Sequence, residues 1–437
     1  RPSPAPLHHH NRAMVCTLSL FVYDELLENL TATLNFGRHF TPAREGEQRN
    51  CLLDGHCQLP SFEQGNQRVF TTEIPVFHHL VRACRIVRDP SLADAYLVPI
   101  MHGTIHSAGW NFGHLFGNAS QMRAEHAPLR GLLGTFWQRL VHLTSETASR
   151  HVIFWSTDSD SVMPTVRLVA PHLRQPIKSA IYVHLGDDHF RCKPKVSRVP
   201  PGTANGCPQL MSRDITVPYR VSHWLPFGFP PARTSLKQRL LSANVGIRGP
   251  YRRGLLAAIA REARTLQLEE AVLLSTPLNR SDYRRVGEMR GAAQAAADAL
   301  ASTFCLCPTG DSAGFTARFY FAVLHDCIPV RLDGWRRNLS MEATGRVSRW
   351  QTYAFPFPRL IQWDRVVIEL PATSPETAHI LRSLTSVPQA EVAARRVYMR
   401  EIAPLLLLEG DVRGARGLDA FVGELAAVLK DRSHSHL

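Results

Sequence analysis

The stretch from Thr303 to Trp335, TFCLCPTGDSAGFTARFYFAVLHDCIPVRLDGW, carries the residues best suited to hold an anion. Gly310, Ser312, Gly314 and Thr316 are small or hydroxylated. They leave backbone amides free at a helix start, where unsatisfied N–H groups and the helix dipole favour phosphate. Asp311 in the same loop can accept hydrogen bonds from ligand hydroxyls. Arg318 falls in the first helical turn, where a cation opposes the dipole unless an anion neutralises both. A solvated arginine on an ordinary α/β unit is the plainer reading. A second loop, GIRGPYRR, has the same character. Gly246 and Gly249 permit close backbone approach, and Arg248, Arg252 and Arg253 offer forked donors to phosphate oxygens. A basic helix start on the surface would also produce it.

Groups able to take a proton from a hydroxyl follow strand-like runs nearer the start of the chain. They are His102 in MHG, Asp158 in WSTDSD, and Asp187 with Asp188 in HLGDDHF. Burial or a neighbouring charge could tune any of them to the task of a general base, and each is equally able to cap a loop. The chain has nine cysteines but no CxxC pair, so no metal site is expected from them.

Such residues need elements to position them, and the periodicity supplies an α/β alternation. Strands are expected at Leu18 to Tyr23, Ala95 to Ile100, His151 to Trp155 and Ala180 to His184, with a helix over Gly131 to Leu143. The Pro-rich, aromatic segment HWLPFGFPPARTS (His223 to Ser235) breaks all periodicity and reads as a linker. Beyond it come a strand at Leu240 to Val245, a helix at Tyr251 to Leu266, a strand at Ala271 to Ser275 and a helix at Val286 to Ser302. The block from Phe304 then reads strand, loop, helix from near Thr316, and strand from Ile328. A last amphipathic helix covers Leu418 to Leu429. In open parallel sheets ligands bind beyond the carboxyl ends of strands, where both glycine loops fall.

The chain has 437 residues, 44% of them hydrophobic, enough for two cores. The expected division is residues 1–230 and residues 231–437. A net charge of +13 suits an acidic partner, but the positive residues are dispersed, with no nucleic-acid module, so nucleic-acid binding is not expected.

FCLCPTGDS, the arginine that follows, and CIPV after the helix resemble the exostosin family of glycosyltransferases. DAYLVPIMHG (Asp94 to Gly103), RHVIFWSTDSD (Arg150 to Asp160), RDITVPY (Arg213 to Tyr219) and FPFPRLIQWDRVVIEL (Phe355 to Leu370) match further family segments in order. The resemblance runs from about Phe21 to Leu370. It implies two Rossmann-like domains facing across a cleft, a GT-B-like architecture, with residues 1–230 on the acceptor side and residues 231–437 binding the donor. The terminal helix of such proteins often packs back on the first domain. The implied reaction moves a sugar from a nucleotide diphosphate, UDP by expectation, to a glycan or glycoprotein, with inversion. The donor set would be Gly246, Arg248, Arg252, Gly310, Asp311, Ser312, Thr316, Arg318 and Glu369, with a base among Asp158, Asp187 and His102. Asp158-Ser159-Asp160 also spells DxD, a metal signature of a different glycosyltransferase fold, but the two-Rossmann type usually works without a metal and none is expected. The chain departs from the family where Phe321 replaces an acidic residue able to hold the ribose, where Asp326 replaces the Gly of GCIPV, and where Arg150-His151-Val152 replaces DHF. A catalytically silent homologue that binds glycans or assists a partner enzyme is the rival these departures raise.

The compartment can be argued from residues. Four N-x-S/T sequons, at Asn29, Asn118, Asn279 and Asn338, and the nine cysteines favour an oxidising lumen. Cys51 with Cys57, and Cys192 with Cys207, flank loop-like segments that a disulfide could close. Cys305, Cys307 and Cys327 could instead be plain core residues. The opening RPSPAPLHHHN lacks an initiator Met and reads as a trimmed form, with His8 to His10 in a flexible terminus. The family resemblance implies a Golgi membrane anchor upstream.

Overall fold

The computed structural model describes residues 16–23, 41–42, 57–58, 72–100, 127–154, 170–185, 214–219, 237–245, 250–275, 292–308, 317–333, 355–371, 379–408 and 414–434. Two parallel sheets organise them, so the chain is α/β in class.

In chain order the first part holds β1 (Ser19–Val22), β2 (Thr41–Pro42), β3 (Cys57–Gln58), α1 (Glu73–Ala83), β4 (Arg85–Ile86), β5 (Ala95–Val98), α2 (Ala127–Gln138), β6 (His151–Phe154), β7 (Ile181–His184) and β8 (Ile215–Thr216). Strands β2 and β3 pair with each other, antiparallel. The rest form one sheet in the order β4-β1-β5-β6-β7-β8, every pair parallel. AYLV, HVIF and IYVH are buried at every position, as befits strands covered on both faces. The helix expected over Gly131 to Leu143 lies nearer the N-terminus and ends at Gln138. Leu140 and Leu143, which extended the apolar pattern, are buried from turns instead.

The remaining elements are β9 (Arg239–Asn244), α3 (Pro250–Leu266), β10 (Val272–Ser275), α4 (Ala292–Ala301), β11 (Ser302–Leu306), α5 (Ala317–Leu324), β12 (Ile328–Asp333), β13 (Ile368–Pro371), α6 (Ile380–Thr385), α7 (Gln389–Ile402) and α8 (Gly417–His434). Strands β9 to β13 form a second parallel sheet, ordered β10-β9-β11-β12-β13. The chain leaves β9 through α3 to reach β10 on one side, then returns through α4 to β11 on the other. The winding therefore reverses between β9 and β11, the arrangement of a doubly wound nucleotide-binding sheet.

Helix α8 packs against α1 and β8 of the first part. His79 of α1 has Nε2 3.7 Å from an Asp419 carboxylate oxygen. Further along α8, Glu424 and Asp431 take the Arg359 guanidinium of the second part. Two disulfides lie among the described residues, Cys16–Cys84 and Cys305–Cys327. Cys305 and Cys327 are thus bonded core residues, while Cys307 is a free buried thiol. The two other cysteine pairs proposed from sequence involve residues outside the described set.

Candidate active site

At the reversal point of the second sheet two strands end side by side. Strand β9 runs Arg239 to Asn244 and leads into the segment carrying Gly246 and Arg248. Strand β11, its neighbour, pairs Phe304 with Leu241 and Cys305 with Ser242, and leads into the segment carrying Gly310, Asp311, Ser312 and Thr316. Because the strands are parallel and adjacent, both glycine-bearing segments depart from the same sheet edge, where such sheets bind ligands.

Each segment runs into a helix that starts with an arginine. Pro250 opens α3, its fixed φ suited to a first helical position, and Arg252 follows in the first turn, buried to 8% exposure. Ala317 opens α5, and Arg318 is its second residue, half-buried. Burial pushes the Cys307 thiol up to about 12, with the Arg318 guanidinium opposing that shift. The thiol reaches the Arg318 carbonyl at 3.9 Å. Two helix N-termini, each with a first-turn arginine, are therefore anchored on neighbouring strands. That combination suits an anion with oxygens on more than one phosphorus.

Glu369 is placed on β13 directly opposite Arg331 of β12, and their side chains pair at 3.1 Å. Arg331 is almost buried while the Glu369 side chain is half exposed. His102, Asp158, Asp187, Gly246, Arg248, Gly310, Asp311, Ser312 and Thr316 lie outside the described residues. By sequence, His102 follows β5, Asp158 follows β6 and Asp187 follows β7, all carboxyl ends of the first sheet. His184, at the end of β7, is 8% exposed, a titratable group at this edge that sequence reading passed over. Among the described residues, no group of three or more His, Cys, Asp or Glu could hold a metal ion, and no helix is long and apolar enough to cross a membrane.

The departures from the family pattern take definite places. The Phe321 ring packs against His325 at a 36° tilt, ring centroids 4.0 Å apart, so the position that could have carried an acid packs the end of its own helix. Asp326 has φ +55°, in the left-handed region where glycine is at ease and Asp is among the better-tolerated alternatives. Its carboxylate receives Nε–H and Nη2–H of Arg396. Phe319 packs against Phe355 and Trp363, and Trp363 donates its indole N–H to Pro356 O at 2.8 Å, which explains the aromatic spacing in the FPFPRLIQW segment.

No protein-family model matches the chain, and no curated protein sequence does. Among solved structures it is similar to α,α-trehalose 6-phosphate synthase from Burkholderia multivorans at 14% identity, covering 75% of this chain and 80% of that one with a TM-score of 0.33. It is also similar to the GtfA/B complex, at 12% identity over 69% of this chain and 60% of that one, TM-score 0.31. A third likeness is to TarM, at 8% identity over 67% of this chain and 57% of that one, TM-score 0.31. The superpositions are loose, and the fold class is carried by the chain's own two parallel sheets.

Proposed function

We propose that the protein is an exostosin-like glycosyltransferase that moves a sugar from a nucleotide diphosphate, UDP in the first instance, to a glycan or glycoprotein acceptor with inversion at the anomeric carbon. One observation carries this reading: two glycine-and-arginine segments leave the carboxyl ends of β9 and β11, the neighbours between which the sheet's winding reverses. In the proposed reaction Arg318, Arg252 and the two helix N-termini stabilise charge on the departing diphosphate. Asp158, Asp187 or His102 takes the proton from the acceptor hydroxyl as that oxygen attacks the anomeric carbon. No metal is assigned a step.

Residues 1–230 are assigned to the acceptor and residues 231–437 to the donor. A lumenal setting is supported by the sequons and by the Cys16–Cys84 and Cys305–Cys327 bonds, while the Golgi membrane and an anchor upstream rest on the exostosin resemblance alone. The rival reading, a silent homologue that binds glycans, is favoured by Phe321, whose ring is committed to His325 where a ribose-holding acid would stand. A panel of nucleotide sugars tests both, read by thermal shift and by release of the nucleoside diphosphate. Stabilisation with turnover supports the transferase, stabilisation by glycans alone supports the rival, and silence across the panel removes the transferase reading.

A further inference from the structure

We propose that the Cys305–Cys327 disulfide is a positioning element for diphosphate binding, holding α5 so that its first turn and Arg318 face the ligand. The inference rests on the donor-site reading above.

Cys305 lies inside β11, in register with Pro329 of β12, and Cys327 is the residue that enters β12. The bond joins residues 22 apart in sequence, and the ring it closes contains residues 309–316 and the whole of α5. Cys305 and Cys307 are alternate residues at the end of β11, so their side chains share a face. On that face Cys305 bonds covalently to Cys327, three residues past the end of α5, while the Cys307 thiol, nearer the Cys305 carbonyl at 3.4 Å, lies 3.9 Å from the Arg318 carbonyl at the helix start. Strand β11 therefore tethers the helix at its exit and only touches it at the entrance.

Other bonds converge on the exit. The Cys327 N–H donates to Ala322 O at 3.0 Å, and His325 Nδ1 donates to Phe321 O at 2.8 Å. Lys237 Nζ, just ahead of β9, donates to Asp326 O at 2.9 Å and to Leu300 O at 2.7 Å, while Arg396 of α7 grips the Asp326 carboxylate. An eight-residue helix has little stability of its own, so its direction is set by such restraints. With the exit fixed, the aim of the first-turn amides and of Arg318 is fixed as well. Releasing the exit lets the helix tilt and spreads the donors that must converge on one diphosphate.

The experiment compares two double variants in the full chain by calorimetry with UDP, at a temperature where circular dichroism shows each folded. Cys305→Ala with Cys327→Ala should weaken UDP binding tenfold or more. Cys16→Ala with Cys84→Ala, which removes the disulfide of the other sheet, should change it less than twofold. Equal affinity in both variants and wild type, or an equal loss in both, would overturn the proposal. If the first double variant does not fold, Arg396→Gln loosens the same helix end with the bond intact, and should weaken UDP at least threefold; unchanged affinity would count against it. Should wild type fail to bind UDP, the donor reading falls by itself. Hydrogen exchange over residues 317–324 then decides the positioning claim: faster exchange only in the Cys305 and Cys327 variant supports it, and equal exchange in both defeats it.

Discussion

Tyr219 and Tyr320 meet with ring centroids 5.8 Å apart, joining the segment that follows β8 to the first turn of α5. The Tyr320 side chain is wholly buried, and its hydroxyl has no hydrogen-bond partner among the described residues. A buried donor left unsatisfied costs about 1 to 3 kcal/mol. Tyr320→Phe keeps the ring and removes that cost, so the variant should be more stable than wild type by about 1 kcal/mol or more in urea denaturation. A loss of stability would mean that the hydroxyl has a role the packing does not show.

Arg318 stands second in α5, where the helix dipole works against a cation. Arg318→Ala should cost about 1.5 to 3 kcal/mol of UDP affinity, the usual worth of a charge-assisted hydrogen bond. Arg318→Lys should restore part of it, since lysine keeps the charge but not the fork. Calorimetry on the three proteins checks this, and equal affinities would mean that Arg318 takes no part in binding the nucleotide.

Gly417 opens α8 hard against the turn at 403–408. A Cβ there would meet the backbone of Leu407, whose carbonyl carbon is 2.8 Å away, and the Leu405 oxygen at 3.0 Å. Neither neighbour is a flexible side-chain end. Gly417→Ala should therefore destabilise the protein by about 2 to 4 kcal/mol, the cost of forcing a methyl into a closed site. A melting temperature within a degree of wild type would show that the helix start can shift.

Two buried imidazoles contribute to the acid side of the stability curve. Burial lowers His151 and His325 to about 4, against 6.5 for an exposed imidazole. His151 Nδ1 donates to Thr147 O at 2.9 Å, leaving Nε2, 3.1 Å from the Tyr23 hydroxyl, as an acceptor. An imidazolium could not accept that bond. Between pH 6.5 and 4 the unfolded chain binds protons that the folded one refuses, so stability is full above this window and falls as pH drops through it. Each histidine can account for about 3 kcal/mol at most. Urea midpoints from pH 7 to pH 4.5 should fall accordingly, and a flat profile would show that both rings reach solvent without unfolding.

The strands were legible because the parallel sheets bury both faces of β5, β6 and β7, which then read as unbroken apolar runs. The short edge strand β4, two residues long with both exposed, left no such trace. Helix α2 was misplaced because buried turn residues, Leu140 and Leu143, continued its pattern beyond its true end. At the candidate site the arginines and glycines could be nominated from sequence, as local chemistry marks them. The Cys305–Cys327 bond could not, because it depends on which residue of one strand faces the entry to the next. Asp326 was noticed as a departure, but its left-handed backbone and its bond to Arg396, 70 residues further on, belong to the tertiary fold.

The packing of α8 on α1 has a consequence for how the chain comes to be folded. Helix α1 packs Phe77 on Phe154 of the sheet and also contacts the last described helix, where His79 meets Asp419. During synthesis α1 emerges more than three hundred residues before its cover. The packing of the earlier part of the molecule is therefore completed only once α8 has been made. Ribosome-bound fragments that stop short of α8 should be the species that chaperones hold.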